Sequence, residues 1–151
     1  MEYAFTFVRG DRYPWFQETV RQEELVAAQE FIDIAKSTII SNSPVDLGTF
    51  VESITGEIIE DSTGTSGSVY STDDEIKVAV IEGGRQPGTY PPVDVITEWA
   101  LRHGIPPFLA GRAIFLNGIA PLRPFGKTQD QIQPQIDDIN ARLMSRIAER
   151  L

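Results

Sequence analysis

Residues Ile76–Gly104 read IKVAVIEGGRQPGTYPPVDVITEWALRHG. The opening is rich in β-branched residues, with Ile76, Val78, Val80 and Ile81 alternating with Lys77. That composition predicts a strand over Ile76–Glu82. Gly83-Gly84 breaks it. Pro87-Gly88 and Pro91-Pro92 follow closely, so neither a continued strand nor an early helix fits the loop. A short helix is expected from Val93 to His103, with Val93, Ile96, Trp99 and Ala100 on one side and Gly104 as its stop. The loop carries the guanidinium of Arg85 and the ring of Tyr90. Whether their partners lie in this chain or another is the functional question.

Working back from this stretch, Ile54–Asp61 reads as a strand and Ser62–Gly67 as a flexible turn. A second strand starts at Val69-Tyr70, and Asp73-Asp74 turns it into the third, Ile76–Glu82, giving an antiparallel meander. Ser43–Ile54 is a connector in which Asp46 caps or forms an Asx turn and Gly48 permits a bend. Phe16–Ile40 is a long amphipathic helix. Leu25, Ala28, Ile32, Ala35 and Ile39 share one face, widened by Phe16, Val20, Ala27, Phe31 and Ile34. Gln17, Glu18, Arg21, Gln22, Glu24 and Lys36 lie mostly opposite. Met1–Pro14 reads as an arm or edge strand in which Tyr3, Phe5 and Phe7 alternate with Ala4 and Thr6, and Arg9-Gly10-Asp11 reads as a turn.

Working forward, Pro106-Pro107 prevents the Val93 helix from restarting. Phe108–Asn117 forms a second short helix, and Pro121–Phe125 is extended. Thr128 or Asp130 caps a last helix to the C-terminus, with Ile132, Ile136, Ile139, Leu143 and Ile147 on its apolar face. The expected architecture is one α+β domain over residues 1–151. A long N-terminal helix packs on a small antiparallel β-meander, followed by two short helices and a C-terminal helix, with 1–14 as an arm and 128–151 as the C-terminal helix.

Composition narrows the function. Thirteen basic residues against 22 acidic give a net charge of −9. Wrapping nucleic acid needs clustered Lys and Arg, so DNA would pass such a surface without specific binding. No apolar run is long enough to span a bilayer, so no membrane role is expected. There is no cysteine, which excludes disulfides and thiolate metal sites.

Few groups suit catalysis. His103 is the single histidine and sits at a helix end, where capping a carbonyl is its ordinary role. A G-x-S-x-G context is absent, and Asp73-Asp74-Glu75 lacks the spacing of a calcium loop. Gly83, Gly84 and Gly88 lack the Gly-Lys-Ser/Thr of a phosphate loop. The expectation is a chain that is not an enzyme and carries no cofactor or metal. The remaining anchors are Glu82, Arg85, Tyr90, Arg112, Arg123 and Phe125. Arg and aromatic residues suit protein–protein contacts because they combine area with directed hydrogen bonds, so these six mark a candidate subunit interface. Each has an intrachain alternative: Arg85 pairing with Glu82 across the loop, and Phe125 packing in the core.

Three segments carry a resemblance. Ser43-Pro44-Val45-Asp46-Leu47-Gly48-Thr49-Phe50 with Ser53-Ile54 is the first. Glu82-Gly83-Gly84-Arg85-Gln86-Pro87-Gly88 with Pro91-Pro92, Ile96 and Trp99 is the second. Arg112-Ala113-Ile114 with Asn117-Gly118-Ile119 and Arg123-Pro124-Phe125 is the third. In this order they resemble the tail-completion (head–tail joining) family of long-tailed bacteriophages, small neck and minor tail components. The resemblance implies a structural virion protein made in the host cytoplasm. It would form a ring at the neck, a hexamer, that contacts connector or head-closure proteins and the tail tube. The competing expectation is a small-molecule or peptide-binding module built from the 83–92 loop, Trp99, Tyr90 and Phe108.

Overall fold

The computed structural model describes residues 1–8, 16–46 and 48–150; the Arg9-Gly10-Asp11 turn and the rest of the expected arm lie outside them, as does Leu47. The fold is α+β. In chain order it contains β1 (Glu2–Val8), α1 (Gln17–Asn42), α2 (Thr49–Ser53), β2 (Ile54–Glu60), β3 (Gly64–Ser71), α3 (Glu75–Gly83), α4 (Val93–Arg102), α5 (Pro107–Asn117), α6 (Pro124–Gln131) and α7 (Gln133–Glu149).

The sheet is antiparallel with β3 in the middle, in the order β1-β3-β2. β1 pairs from Glu2↔Tyr70 to Val8↔Gly64, and β2 from Ile54↔Ser71 to Glu60↔Thr65. The alternation of Tyr3, Phe5 and Phe7 places these rings towards α1, where Tyr3 meets Phe31 edge-on at 5.3 Å between centroids. The edge strand at the N-terminus therefore forms as the alternation predicts.

The third strand is β1, and Ile76–Glu82 is the helix α3 instead. Asp74 decides this: its side chain accepts from the amides of Ile76 and Lys77, both at 3.0 Å, and caps the helix that follows. Once started, α3 buries Val78 in the core. The β-branched composition gave the wrong sign because tertiary packing overrides a propensity of this size.

β3 starts at Gly64, inside the segment expected to be a flexible turn. Its small residues serve close approach, not flexibility. A Cβ on Gly67 would lie 2.9 Å from Phe31 Cδ1 and 3.0 Å from the Ala28 carbonyl oxygen, and one on Gly56 would lie 2.4 Å from Ile32 Cγ2. The glycines let α1 sit down on the strands, aided by Ala27, Ala28 and Ala35, which are fully buried.

α1 lies between the sheet and the pair α6–α7, so it is covered on two sides. That explains a departure from the simple amphipathic reading. Glu24, expected on the solvent side, is 2% exposed and accepts from Thr65 Oγ1 at 3.0 Å on the sheet side. Glu23, 4% exposed, takes Arg146 Nε at 2.7 Å and Arg150 Nε at 2.8 Å from α7. Glu30 pairs with Arg142 and Arg146 in the same seam. A buried carboxylate is tolerated only with partners of this kind.

The C-terminal helix is two helices. Pro134 lacks an N–H and its ring would clash with the carbonyl four residues back, so the chain breaks at Ile132 and α7 starts afresh. Thr128 is not a cap; it is buried within α6, donating to the Pro124 carbonyl oxygen at 2.8 Å. Asp130 also lies inside α6. The apolar stripe was read correctly: Ile132, Ile136, Ile139 and Leu143 join the core.

Candidate interaction surface

The loop between α3 and α4 is clipped to the chain's own α5–α6 linker. The amide of Arg85 donates to the Ile119 carbonyl, and that of Ile119 to the Arg85 carbonyl, both at 2.8 Å. The glycines make this approach possible. A Cβ on Gly84 (φ +73) would lie 2.4 Å from the Ile119 oxygen, and one on Gly118 (φ +71) 2.1 Å from the Arg85 oxygen. Further along, the Gly88 amide donates to the Phe115 carbonyl at 2.7 Å. Tyr90 then stacks on Phe115 at 4.6 Å between centroids.

The six anchors expected to face another subunit have different settings. Phe125 is 2% exposed and belongs to the core, so its ring is not available to a neighbour; its apolar character, not its place in a Pro-rich segment, decides. Glu82 points at the start of α6, accepting from the Phe125 amide at 3.0 Å and the Gly126 amide at 2.8 Å. This is a two-pronged cap supplied from another helix, set against the positive end of the α6 dipole. Arg85 does not pair with Glu82; its Nη2 donates to the Tyr90 carbonyl at 3.1 Å, and its Nε is buried without a partner among the described residues. Arg123 adopts left-handed backbone (φ 54) at the α6 N-cap and lies 3.6 Å from Asp130. Arg112 is exposed on α5. Tyr90 keeps about half of its surface in solvent despite its stacking.

The connector reaches the same region. Asp46 takes Arg102 Nη2 at 2.5 Å and lies 3.5 Å from His103 Nε2. The other imidazole nitrogen, Nδ1, is 2.8 Å from the Trp99 carbonyl, and the ring stacks on Trp99 at 4.5 Å. His103 is thus held at a helix end, as its position suggested. Trp99 does not fix α4 to the core; it covers His103 and stays partly exposed, while Ala100 is the buried residue of α4. Tyr90, Trp99 and Phe108 occupy separate settings: on Phe115, on His103 and in solvent.

α4 and α5 pack chiefly on each other, through small residues: Ala100, Ala110 and Gly111 are buried. Their outer sides carry Val93, Val95, Leu101, Phe108, Leu109 and Leu116, all at least half exposed. Residue-by-residue reading missed this surface, because apolar residues in a short helix are expected to be core. The available signal was that α5, PFLAGRAIFLN, is apolar nearly all round, which a helix covered on one side only does not need.

At the opposite end of α3, Met1, Glu2, Tyr70, Ser71, Asp73, Glu75 and Val78 line a shallow cleft. Burial would raise the Asp73 carboxyl, but the Lys77 ammonium at 2.5 Å and the Asp74 amide outweigh it and hold it below the usual carboxylate range. Among the described residues no group of three His, Asp or Glu is arranged to hold a metal ion, and no helix is long and apolar enough to cross a membrane. Comparison of the chain with protein-family models, with curated proteins and with solved structures gives no match.

Proposed function

We propose that this chain is a non-catalytic structural subunit of a long-tailed phage virion, forming a ring at the neck that completes the tail and joins it to the head. The carrying observation is that the second and third segments with family resemblance bind each other, and the first binds the end of the helix that the second opens. Asp46 of the first holds Arg102 just beyond the second. Glu82 of the second caps the helix opened by Pro124-Phe125 of the third, and Arg85 bridges Ile119. Residues far apart in sequence thus form one connected unit, which supports reading them as one inherited design and not as three chance matches. That unit carries the uncovered α4–α5 surface, which suits an assembly role.

In this reading the partners are further copies of the chain, connector or head-closure proteins and the tail tube, with DNA passing an acidic lumen without specific binding. The test is co-expression with the proteins encoded beside it, followed by electron microscopy and mass photometry. Rings, or decoration of one end of tail tubes or connectors, are expected. A chain that stays monomeric and binds neither structure overturns the proposal.

A further inference from the structure

We propose that the outer face of α4–α5 is the contact to a second copy of this chain, and that it seats on the acidic end of that copy where α3 begins. The inference rests on the ring reading and names its interface.

Three observations support it. The first is the apolar surface itself. Val93, Val95, Leu101, Phe108, Leu109 and Leu116 are each at least half exposed on two adjacent short helices, the kind of uncovered apolar surface that marks an interaction site. The second is charge. Residues 84–128 hold Arg85, Arg102, Arg112, Arg123 and Lys127 against Asp94 and Glu98, a net of +3 in a chain of −9, which leaves −12 elsewhere. Arg102 and Arg123 are paired with Asp46 and Asp130, and Arg112 is the cation that stands exposed on the apolar face. A second copy offers the complementary charge.

The third is the form of the receiving surface. The cleft lined by Glu2, Asp73 and Glu75 also presents Met1, Tyr70 and Val78, and Ile76 stands beside it with most of its surface in solvent. With Asp73 held by Lys77 and Glu2 by Ser68, it offers the exposed Glu75 carboxylate for Arg112 and apolar surface for Phe108 and Leu101. The two surfaces are different patches of the chain, one on α4–α5 and one at the start of α3. A contact between two different patches on successive copies is heterologous, the type that closes rings.

The test uses the absence of native cysteine. Phe108→Cys and Ile76→Cys proteins with different tags are mixed and treated with a bismaleimide, so that a mixed adduct reports contact between copies only. The mixed adduct should exceed either same-variant adduct by about tenfold, and Phe108→Asp should raise the apparent dissociation constant of self-association about tenfold or more. Association should also weaken with salt. Dominant Phe108–Phe108 adducts, or α4–α5 binding to lipid vesicles in place of a second copy, overturn the proposal. If the wild type forms rings but the mixed adduct is missing, this interface is wrong and the ring reading stands. If the wild type never self-associates, alone or on tail tubes, both fall.

Discussion

Glu82 separates the two accounts of the Glu82–Phe125 region most sharply. If its carboxylate caps α6, Glu82→Ala removes two hydrogen bonds, at 3.0 and 2.8 Å, from the Phe125 and Gly126 amides. Hydrogen bonds to a charged group contribute about 1.5–3 kcal/mol each when fully buried. Here the carboxylate is half-buried and water can replace part of each bond. The net loss should be about 2–3 kcal/mol, from the upper end of the range for a lost cap, about 2 kcal/mol, plus up to about 1 kcal/mol for the attraction of a negative charge to a helix N-terminus. For a domain of this size that lowers Tm by about 5–10 °C. Glu82→Gln keeps one acceptor oxygen and turns an amide nitrogen towards the second N–H, so it should lose about 1–2 kcal/mol. Calorimetry, or urea unfolding followed by circular dichroism, reads both. The contrary result is a Glu82→Ala protein with an unchanged Tm that no longer assembles; it would show that Glu82 faces a neighbour and that the cap is not what holds α6.

Other substitutions probe the remaining contacts. Gly67→Ala should lose about 1–3 kcal/mol in urea unfolding, because the new methyl meets the Ala28 carbonyl oxygen at 3.0 Å and backbone cannot step aside. Glu23→Gln removes the closer of Arg146's two carboxylates and leaves it the Glu30 contact at 3.3 Å, while its Nη2 is already buried without a partner among the described residues. A loss of about 2–4 kcal/mol is expected, and Glu23→Leu with Arg146→Met should recover much of it. The Asp73 carboxyl titrates below its ordinary range, so its contribution to stability is present above the unfolded-state carboxylate pKa and is lost as pH falls through the folded value. Asp73→Asn should flatten the acid limb of a Tm-against-pH curve; an unchanged limb would remove Lys77 as the cause.

Where a regular apolar repeat decides the type of element, the sequence was enough. The apolar repeats of α1 and α7 specify helices, and the alternation in Glu2–Val8 specifies a strand, because 3.6-residue and two-residue periods put apolar groups on one side of only one kind of element. The α+β class follows from those elements. The stop after Asn42 follows from proline's effect on the preceding residue, whereas the break before Pro134 was not expected, because a proline in the first turn of one longer helix fits the sequence as well. What needed the tertiary structure was each feature whose cause lies far away in sequence. Asp74 turns a β-branched run into α3, but only packing of Val78 makes the helix worth forming. Glu24 is legible as polar, and only the presence of Thr65 across the sheet allows its burial. Glu82 and Phe125 were recognisable as anchors, but their partners, α6 and the core, lie more than forty residues from Glu82 or across the fold. An anchor in a Pro- and Gly-rich segment looks the same in sequence whether it holds its own chain or another, because residue type sets what a group can bind and only the fold sets what stands within reach.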